Sequence, residues 1–197
     1  MKSFIYILLT SLTFLVVGCQ NESEEIRLIN QAERLFDAYP DSVITTLDSI
    51  PLPEEMSPRL IARWCMLYAR AADKIEDEMP YTNQLEIALK YYQKKKMREE
   101  EAEIGLYLGR SYVEDKEYEK AMRTYSYALK VALAIKDYNR AGYICSYMGD
   151  LYEVDLRYIL AAEKYKESGK YFHLANNTTS YVRAVSYTHL RAHETLR

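Results

Sequence analysis

The stretch IGLYLGRSYVEDKEYEKAMRTYSYALK, Ile104 to Lys130, returns forty residues later as ICSYMGDLYEVDLRYILAAEKYKESGK, Ile144 to Lys170. Ile104, Tyr107, Gly109, Tyr112 and Asp115 fall on Ile144, Tyr147, Gly149, Tyr152 and Asp155. Tyr118, Ala121, Tyr125 and Lys130 fall on Tyr158, Ala161, Tyr165 and Lys170. Leu108 meets Met148 and Ala128 meets Ser168 as conservative pairs. A fixed period of this size is the signature of stacked repeats, each too small to bury its own apolar face. The turns Glu114-Asp115-Lys116-Glu117 and Glu153-Val154-Asp155-Leu156 are short enough to join antiparallel helices.

Leu108-Gly109-x-x-Tyr112, followed by Ala121, Tyr125 and Ala128, resembles the tetratricopeptide repeat (TPR). In that family a Leu-Gly-x-x-Tyr helix packs on an Ala-x-x-x-aromatic-x-x-Ala helix. Met148-Gly149-x-x-Tyr152, Ala161, Tyr165 and Ser168 form a second copy. The aromatic expected four residues before each glycine is replaced by Gly105 and Cys145, and the closing proline is missing. The period also exceeds the family's usual ~34 residues, and longer second helices are expected to account for this. Glycine inside a helix costs up to about 1 kcal/mol against alanine. Gly109 and Gly149 are therefore expected to admit a neighbouring helix backbone, with Ala121 and Ala161 as the matching small surface. Tyr112 and Tyr125 should fill the wedge beside that contact, as should Tyr152 and Tyr165. Their hydroxyls then belong at groove edges, where partners are found.

A degenerate copy precedes these two. Ser57-Pro58 has the form of an N-cap and first helical residue, and a helix over 59–73 follows, with Ala69 aligning on Gly109. After Met79-Pro80 a helix over 82–96 is expected, with Ala88 and Tyr92 matched to Ala121 and Tyr125. Lys94-Lys95-Lys96 closes that helix and Glu99-Glu100-Glu101 opens the next, which suits both macrodipoles. A shorter pair, 24–38 and 41–50, leads the array; Pro40-Asp41-Ser42 starts its second helix and Pro51-Leu52-Pro53 stops it. Asp41-Ser42-Val43 and Asp48-Ser49-Ile50 resemble a bacterial O-glycosylation sequon, although a helix cap and a helix end explain them more simply. The expected fold is an all-α, TPR-like superhelical solenoid of antiparallel helix hairpins. Its divisions are a helix pair over 24–56 and repeats over 57–98, 99–138 and 139–181, within 57–184. Eight helices fit up to Ala184, and a further first helix is expected to begin near residue 182.

Both ends read differently from the middle. Met1-Lys2-Ser3 precedes an apolar run from Phe4 to Val17, then Gly18-Cys19. One positive charge before a short apolar run is a signal-peptide pattern, and the run is short for a spanning helix. Val16-Val17-Gly18-Cys19 resembles the bacterial lipobox, which implies cleavage after residue 18 and acylation of Cys19. Gln20 resembles the outer-membrane sorting signal, and 19–23 the tether. At the other end, Val185-Ser186-Tyr187-Thr188-His189-Leu190-Arg191-Ala192-His193-Glu194-Thr195 resembles the translation of a transposase mosaic-end sequencing adapter. It is expected to match no repeat position, to leave the solenoid incomplete at its C-terminus, and to take His189 and His193 out of consideration as a helical metal pair.

The chain has 197 residues, 49% hydrophobic and 28% charged, with 6 Gly, 5 Pro and 20 Tyr. That balance excludes disorder and collagen. Three cysteines make no disulfide scaffold, and Cys65 and Cys145, two repeats apart, read as buried thiols out of bridging reach. A net charge of −3 gives no electrostatic reason to expect nucleic acid. There is no phosphate-binding glycine loop, H-E-x-x-H, C-x-x-C or G-x-S-x-G. His173 reads as a surface or groove residue. No catalytic group, cofactor or metal site is therefore expected.

The family resemblance implies a concave face lined by the first helix of each pair. Its positions map onto Arg63, Met66 and Arg70, then Glu103, Leu106 and Arg110, then Tyr143, Ser146 and Asp150. Arg70 and Arg110, equivalent in successive repeats, are expected to hold an acidic or C-terminal carboxylate group. The alternative is a solvated groove laced by intrahelical ion pairs. The whole resembles lipid-anchored TPR proteins of Gram-negative envelopes. That implies a non-catalytic protein- or peptide-binding module, held at the outer membrane through the Cys19 lipid, with the sensor part of a longer regulator as the form it is expected to take. The alternatives are an outer-membrane assembly factor and a glycan-binding uptake lipoprotein. The complete gene separates them: a spanning segment with a helix-turn-helix marks the regulator, a stop after one or two more repeats the assembly factor, and a long insertion-rich C-terminal half the glycan binder. Radiolabelled palmitate should enter the wild-type protein and not Cys19→Ala; equal labelling of both overturns the anchor.

Overall fold

The computed structural model describes residues 23–51 and 55–194; the expected leader and Cys19 lie outside them. Among the described residues the chain is all-α, a solenoid of helix pairs with no strand. A leading pair, α1 (Glu24–Leu35) and α2 (Pro40–Asp48), is followed by α3 (Pro58–Ile75) and α4 (Thr82–Lys95). Then come α5 (Arg98–Glu114) with α6 (Tyr118–Ala134), α7 (Tyr138–Val154) with α8 (Tyr158–Leu174), and α9 (Thr178–Glu194). Each helix packs on the next in sequence. The first helices also touch one another, α1 with α3, α3 with α5 and α5 with α7, while the second helices stand farther apart. The array therefore curves with its first helices on the inside. No described helix is long and apolar enough to cross a membrane.

Local chemistry fixes the helix ends. Ser57 caps α3 through its side chain with Pro58 in the first turn, as expected. Asp137 Oδ1 accepts the Arg140 N–H at 2.9 Å at the start of α7. Lys94 and Lys95 end α4, and Glu99, Glu100 and Glu101 open α5, each sign favourable to its dipole. Asp41 lies inside the first turn of α2 rather than at its cap, and Ser49 ends that helix by donating to Thr46 O at 2.6 Å.

One residue in each later connection has left-handed backbone: Glu76, Lys96, Lys116, Lys136, Leu156 and Asn176, with φ from 56° to 60°. They stand twenty residues apart. After each, the next N–H reaches back to the last turn, as Glu117 does to Tyr112 O at 2.8 Å and Arg157 to Tyr152 O at 2.8 Å. This is the Schellman ending, which satisfies carbonyls that the helix leaves open. A non-glycine residue in that conformation costs roughly 1–2 kcal/mol, so the hydrogen bonds hold the turn rather than the side chain.

The forty-residue unit is thus two equal steps. α5, α6, α7, α8 and α9 each have 17 residues, so the long period does not come from longer second helices. Equal steps also correct the match of α4. The counterparts of Ala88 and Tyr92 are Ala128 and Ala132, then Ser168 and Phe172. Tyr92 donates its hydroxyl to Ala62 O at 3.0 Å, and Phe172 lies over Gly142, forty times two residues on from Tyr92 and Ala62 respectively. The expected match was displaced by about two helical turns, a shift that returns nearly the same face.

Gly109 and Gly149 do not admit a backbone. A Cβ on Gly149 would lie 2.7 Å from the Tyr165 ring, and one on Gly109 would collide with the Tyr125 ring. Gly142 seats Phe172 in the same way, with 2.7 Å to a Cβ. The match to Gly is therefore the aromatic ring of the second helix, not Ala121 or Ala161. Those alanines are fully buried elsewhere in the hairpin. Tyr125 and Tyr165 are 1% and 2% exposed. Tyr112 is buried and reaches back to Glu86 on α4, and burial pushes its hydroxyl up to about 12. Tyr152 is half-buried beneath Arg157. Cys65 and Cys145 are buried free thiols, their ionisation suppressed by burial.

The ninth helix starts at Thr178, earlier than the expected 182, and runs unbroken through Val185. The expectation that the last segment matches no repeat position fails at two residues. Ser186 and Tyr187 stand forty after Ser146 and Tyr147, and the Tyr187 ring lies 5.3 Å from Tyr165. His189, by contrast, occupies the position of Gly109 and Gly149. His173 is exposed on α8, 5.7 Å from the Tyr181 ring.

Replacing Gly149 by Ala should improve helix propensity yet lower stability by about 1–3 kcal/mol, because the ring must move. A urea midpoint reads this. Gly149→Ala combined with Tyr165→Leu should cost less than the two single changes added together; strict additivity refutes the seat.

Candidate inner-face binding site

The inner face is tied together by charge. Arg70 on α3 forks onto Glu103 of α5, Nε to Oε1 at 2.6 Å and Nη2 to Oε2 at 2.7 Å. Arg140 on α7 reaches the same carboxylate at 3.1 Å, and the Tyr107 hydroxyl donates to it at 3.3 Å. Glu103 thus bridges three successive first helices. Arg110 on α5 pairs with Asp73 on α3. Arg63 on α3 holds Glu33 at 2.7 Å and Asn30 at 2.8 Å on α1. Beyond α7 the links become neutral: Tyr143 meets Ser180 at 3.3 Å, and Asn177 donates to Asn139 at 2.8 Å.

Burial alone would raise the Glu103 carboxyl. The Arg70 hydrogen bonds and charge, with Arg140, outweigh that and hold it below the ordinary carboxylate range. Bidentate Arg–carboxylate bonding of this kind is among the stronger hydrogen-bonded pairings.

This arrangement corrects the expected carboxylate clamp. Arg70 and Arg110 are neutralised by Glu103 and Asp73, and Arg110 also lies over the Tyr147 ring at 5.6 Å. The ion pairs of Arg63, Arg70 and Arg110 cross between neighbouring helices, while Arg140 joins a crossing pair with Glu103 to a local one with Asp137 at the start of its own helix. Of the expected groove residues, Glu103, Leu106, Arg110 and Tyr143 line one cavity of about 420 Å³, together with Arg140 and Arg183. Arg63, Met66 and Arg70 line a second, of about 630 Å³, where α3 meets the end of α4 and the start of α5. Arg59 and Lys95 add charge there, and Met66 and Tyr92 give it a buried apolar floor.

Two expected residues point elsewhere. Ser146 turns into its hairpin, 2.7 Å from Ser168 Oγ, which itself donates to Gly142 O at 2.8 Å. Asp150 accepts the Tyr165 hydroxyl at 2.6 Å and belongs to a third cavity. Sequence reasoning missed Asp73, Arg140 and Arg183. A signal for the first two existed: residues 37 apart sit side by side on neighbouring first helices, as Asp73 with Arg110 and Glu103 with Arg140 do. Arg183 makes no ion pair among the described residues.

Among the described residues no group of three or more His, Cys, Asp or Glu is placed to hold a metal ion. The inner face presents fixed guanidiniums and carboxylates, tyrosine edges, and recesses the size of side chains.

No protein-family profile and no curated protein matches this chain. Among solved structures it is similar to BtubC (BKLC) from P. vanneervenii, with a TM-score of 0.42 and 15% identity over 85% of this chain and 74% of that one. That likeness carries no argument about function.

Because the Glu103 carboxyl is depressed in the folded state, its stabilisation is complete above the unfolded value of about 4.3 and is lost as pH falls through the folded value. Glu103→Gln should therefore be less stable than wild type at pH 7, by about 1–3 kcal/mol. The gap should shrink as pH is lowered below about 4. Chemical denaturation at several pH values reads both, and a pH-independent gap refutes the ion-pair account.

Proposed function

We propose that this chain is a non-catalytic binding module whose inner face takes an extended peptide of a partner protein, and that it belongs to the lipid-anchored TPR proteins of the Gram-negative envelope. The observation that supports it most is the lining of the 420 Å³ recess. Leu106 and Tyr143, from successive first helices, flank it beside Arg183, and its other arginines are already fixed in place by partners. Prepositioned side chains lose little entropy on binding, and a peptide lying across successive first helices would meet such recesses in series. The motif Leu108-Gly109-x-x-Tyr112 with Ala121 and Tyr125 supports the family reading. Val16-Val17-Gly18-Cys19 supports attachment through lipid on Cys19, with Gln20 favouring the outer membrane.

Within this reading the chain serves as the sensing portion of a longer regulator. An assembly factor remains the second reading, and a glycan-binding uptake lipoprotein the third. Tyrosine edges beside hydrogen-bonding groups would suit a sugar as well as a peptide.

A photo-reactive benzoylphenylalanine placed at Tyr143 in the full-length protein should crosslink a discrete polypeptide in the host envelope. The same group at Lys130, exposed on a second helix, should not. Equal capture at both positions, or none at Tyr143, refutes inner-face binding.

A further inference from the structure

The connections between the helices of successive pairs differ in one respect. Between α3 and α4 the chain takes the longer path 76–81, whereas α5 and α6 are joined by the tight turn 115–117. The longer loop lies against the end of the next first helix. Met79 N–H donates to Glu114 Oε2 at 3.0 Å, and Pro80 C=O accepts from Ser111 Oγ at 2.9 Å. Met79 itself is 6% exposed. One layer on, no segment among the described residues fills the corresponding place. Forty residues after Ser111 and Glu114 stand Leu151 and Val154, and these line an open recess of about 240 Å³ with Val113, Tyr125 and Tyr147. The polar anchors of the first layer have become aliphatic walls.

Val154, which lines the recess, is 53% exposed, and Leu156 and Ile159, which follow it in the chain, are 70% and 64% exposed. Leu156 is the one apolar residue among the six left-handed turn positions, where its side chain gains nothing from packing. The rim is acidic. Glu114 and Asp150 border the recess, and Arg110 beside them is already neutralised by Asp73.

We propose that this recess between α5, α6 and α7 is a docking site for an extended segment of a partner protein carrying a methionine- or leucine-sized side chain next to a basic residue. The filled layer defines the occupant: an extended loop with an apolar residue, lying across the end of a first helix. The acidic rim adds the basic neighbour. The recess shares Arg110 and Tyr147 with the inner-face cavity that supports the peptide-binding reading, but Val113, Leu151 and Val154 line it alone, so changes there test it independently.

The probe is acetyl-Lys-Met-Pro-Lys-amide, titrated into methyl-labelled full-length protein and followed by NMR. The Leu151, Val154 and Val113 methyls should shift with one saturation curve. Replacing Met by Ser, or both Lys by Glu, should weaken binding at least tenfold. Leu151→Phe fills the recess and should do the same. Val154→Lys, at a position exposed enough to leave the fold intact, should repel the peptide equally. Arg183→Glu on the inner face should leave the affinity unchanged. The proposal is overturned by an absence of shifts at millimolar peptide, by equal binding of the Ser peptide, or by unchanged affinity in Val154→Lys.

Discussion

The solenoid depends on an aromatic ring of one helix seated where the facing helix has no side chain. Tyr125 lies on Gly109, Tyr165 on Gly149 and Phe172 on Gly142. Each seat lets two helices approach while a large ring stays almost fully buried. A tyrosine or phenylalanine ring hides on the order of 150 Å² or more, which is worth several kcal/mol gross and outweighs the roughly 1 kcal/mol that glycine costs its helix. The depth of the seat sets the spacing within a hairpin. That spacing in turn places the first helices close enough for charges to meet across the inner face. The arrangement of the inner face is thus a product of packing done on its far side.

Those charges give the inner face its character. Glu103 receives Arg70 and Arg140 at once, so three helix pairs share one carboxylate. Such a network neutralises most of the groove before any ligand arrives. What remains for recognition is shape, tyrosine edges, and the few cations without acidic partners. Strong general attraction to any acidic peptide is not what this face provides.

Much of the fold was legible because repetition repeats its reasons. Gly109 and Gly149, Tyr125 and Tyr165, and the turns at Asp115 and Asp155 could be read against one another. The match of Tyr92 went astray because a helix comes back to nearly the same face after two turns, so a single copy with few identities has two nearly equal alignments. The glycine partner was misjudged for a different reason: spacing says that a gap exists but not which neighbour fills it. The inner-face residues were placed on the right helices from the family resemblance, but their partners were not. Arg70 and Arg110 looked alike and open, and only the offset between neighbouring helices reveals that Glu103 and Asp73 reach them. Ser146 and Asp150 show the limit of position alone, since a small rotation turns each toward its own hairpin.

The six left-handed residues carry a consequence of their own. Glutamate, lysine, leucine and asparagine all occupy one backbone conformation at twenty-residue intervals. The turn is therefore specified by main-chain hydrogen bonds, and the residue standing in it is free to vary. From Lys96 to Asn176 the junctions share one shape, so there a unit of one helix and one turn can be copied or removed without a junction needing a new sequence. Length in such an array can change in single steps, and the turn residue itself carries no signature by which a copied unit would be recognised.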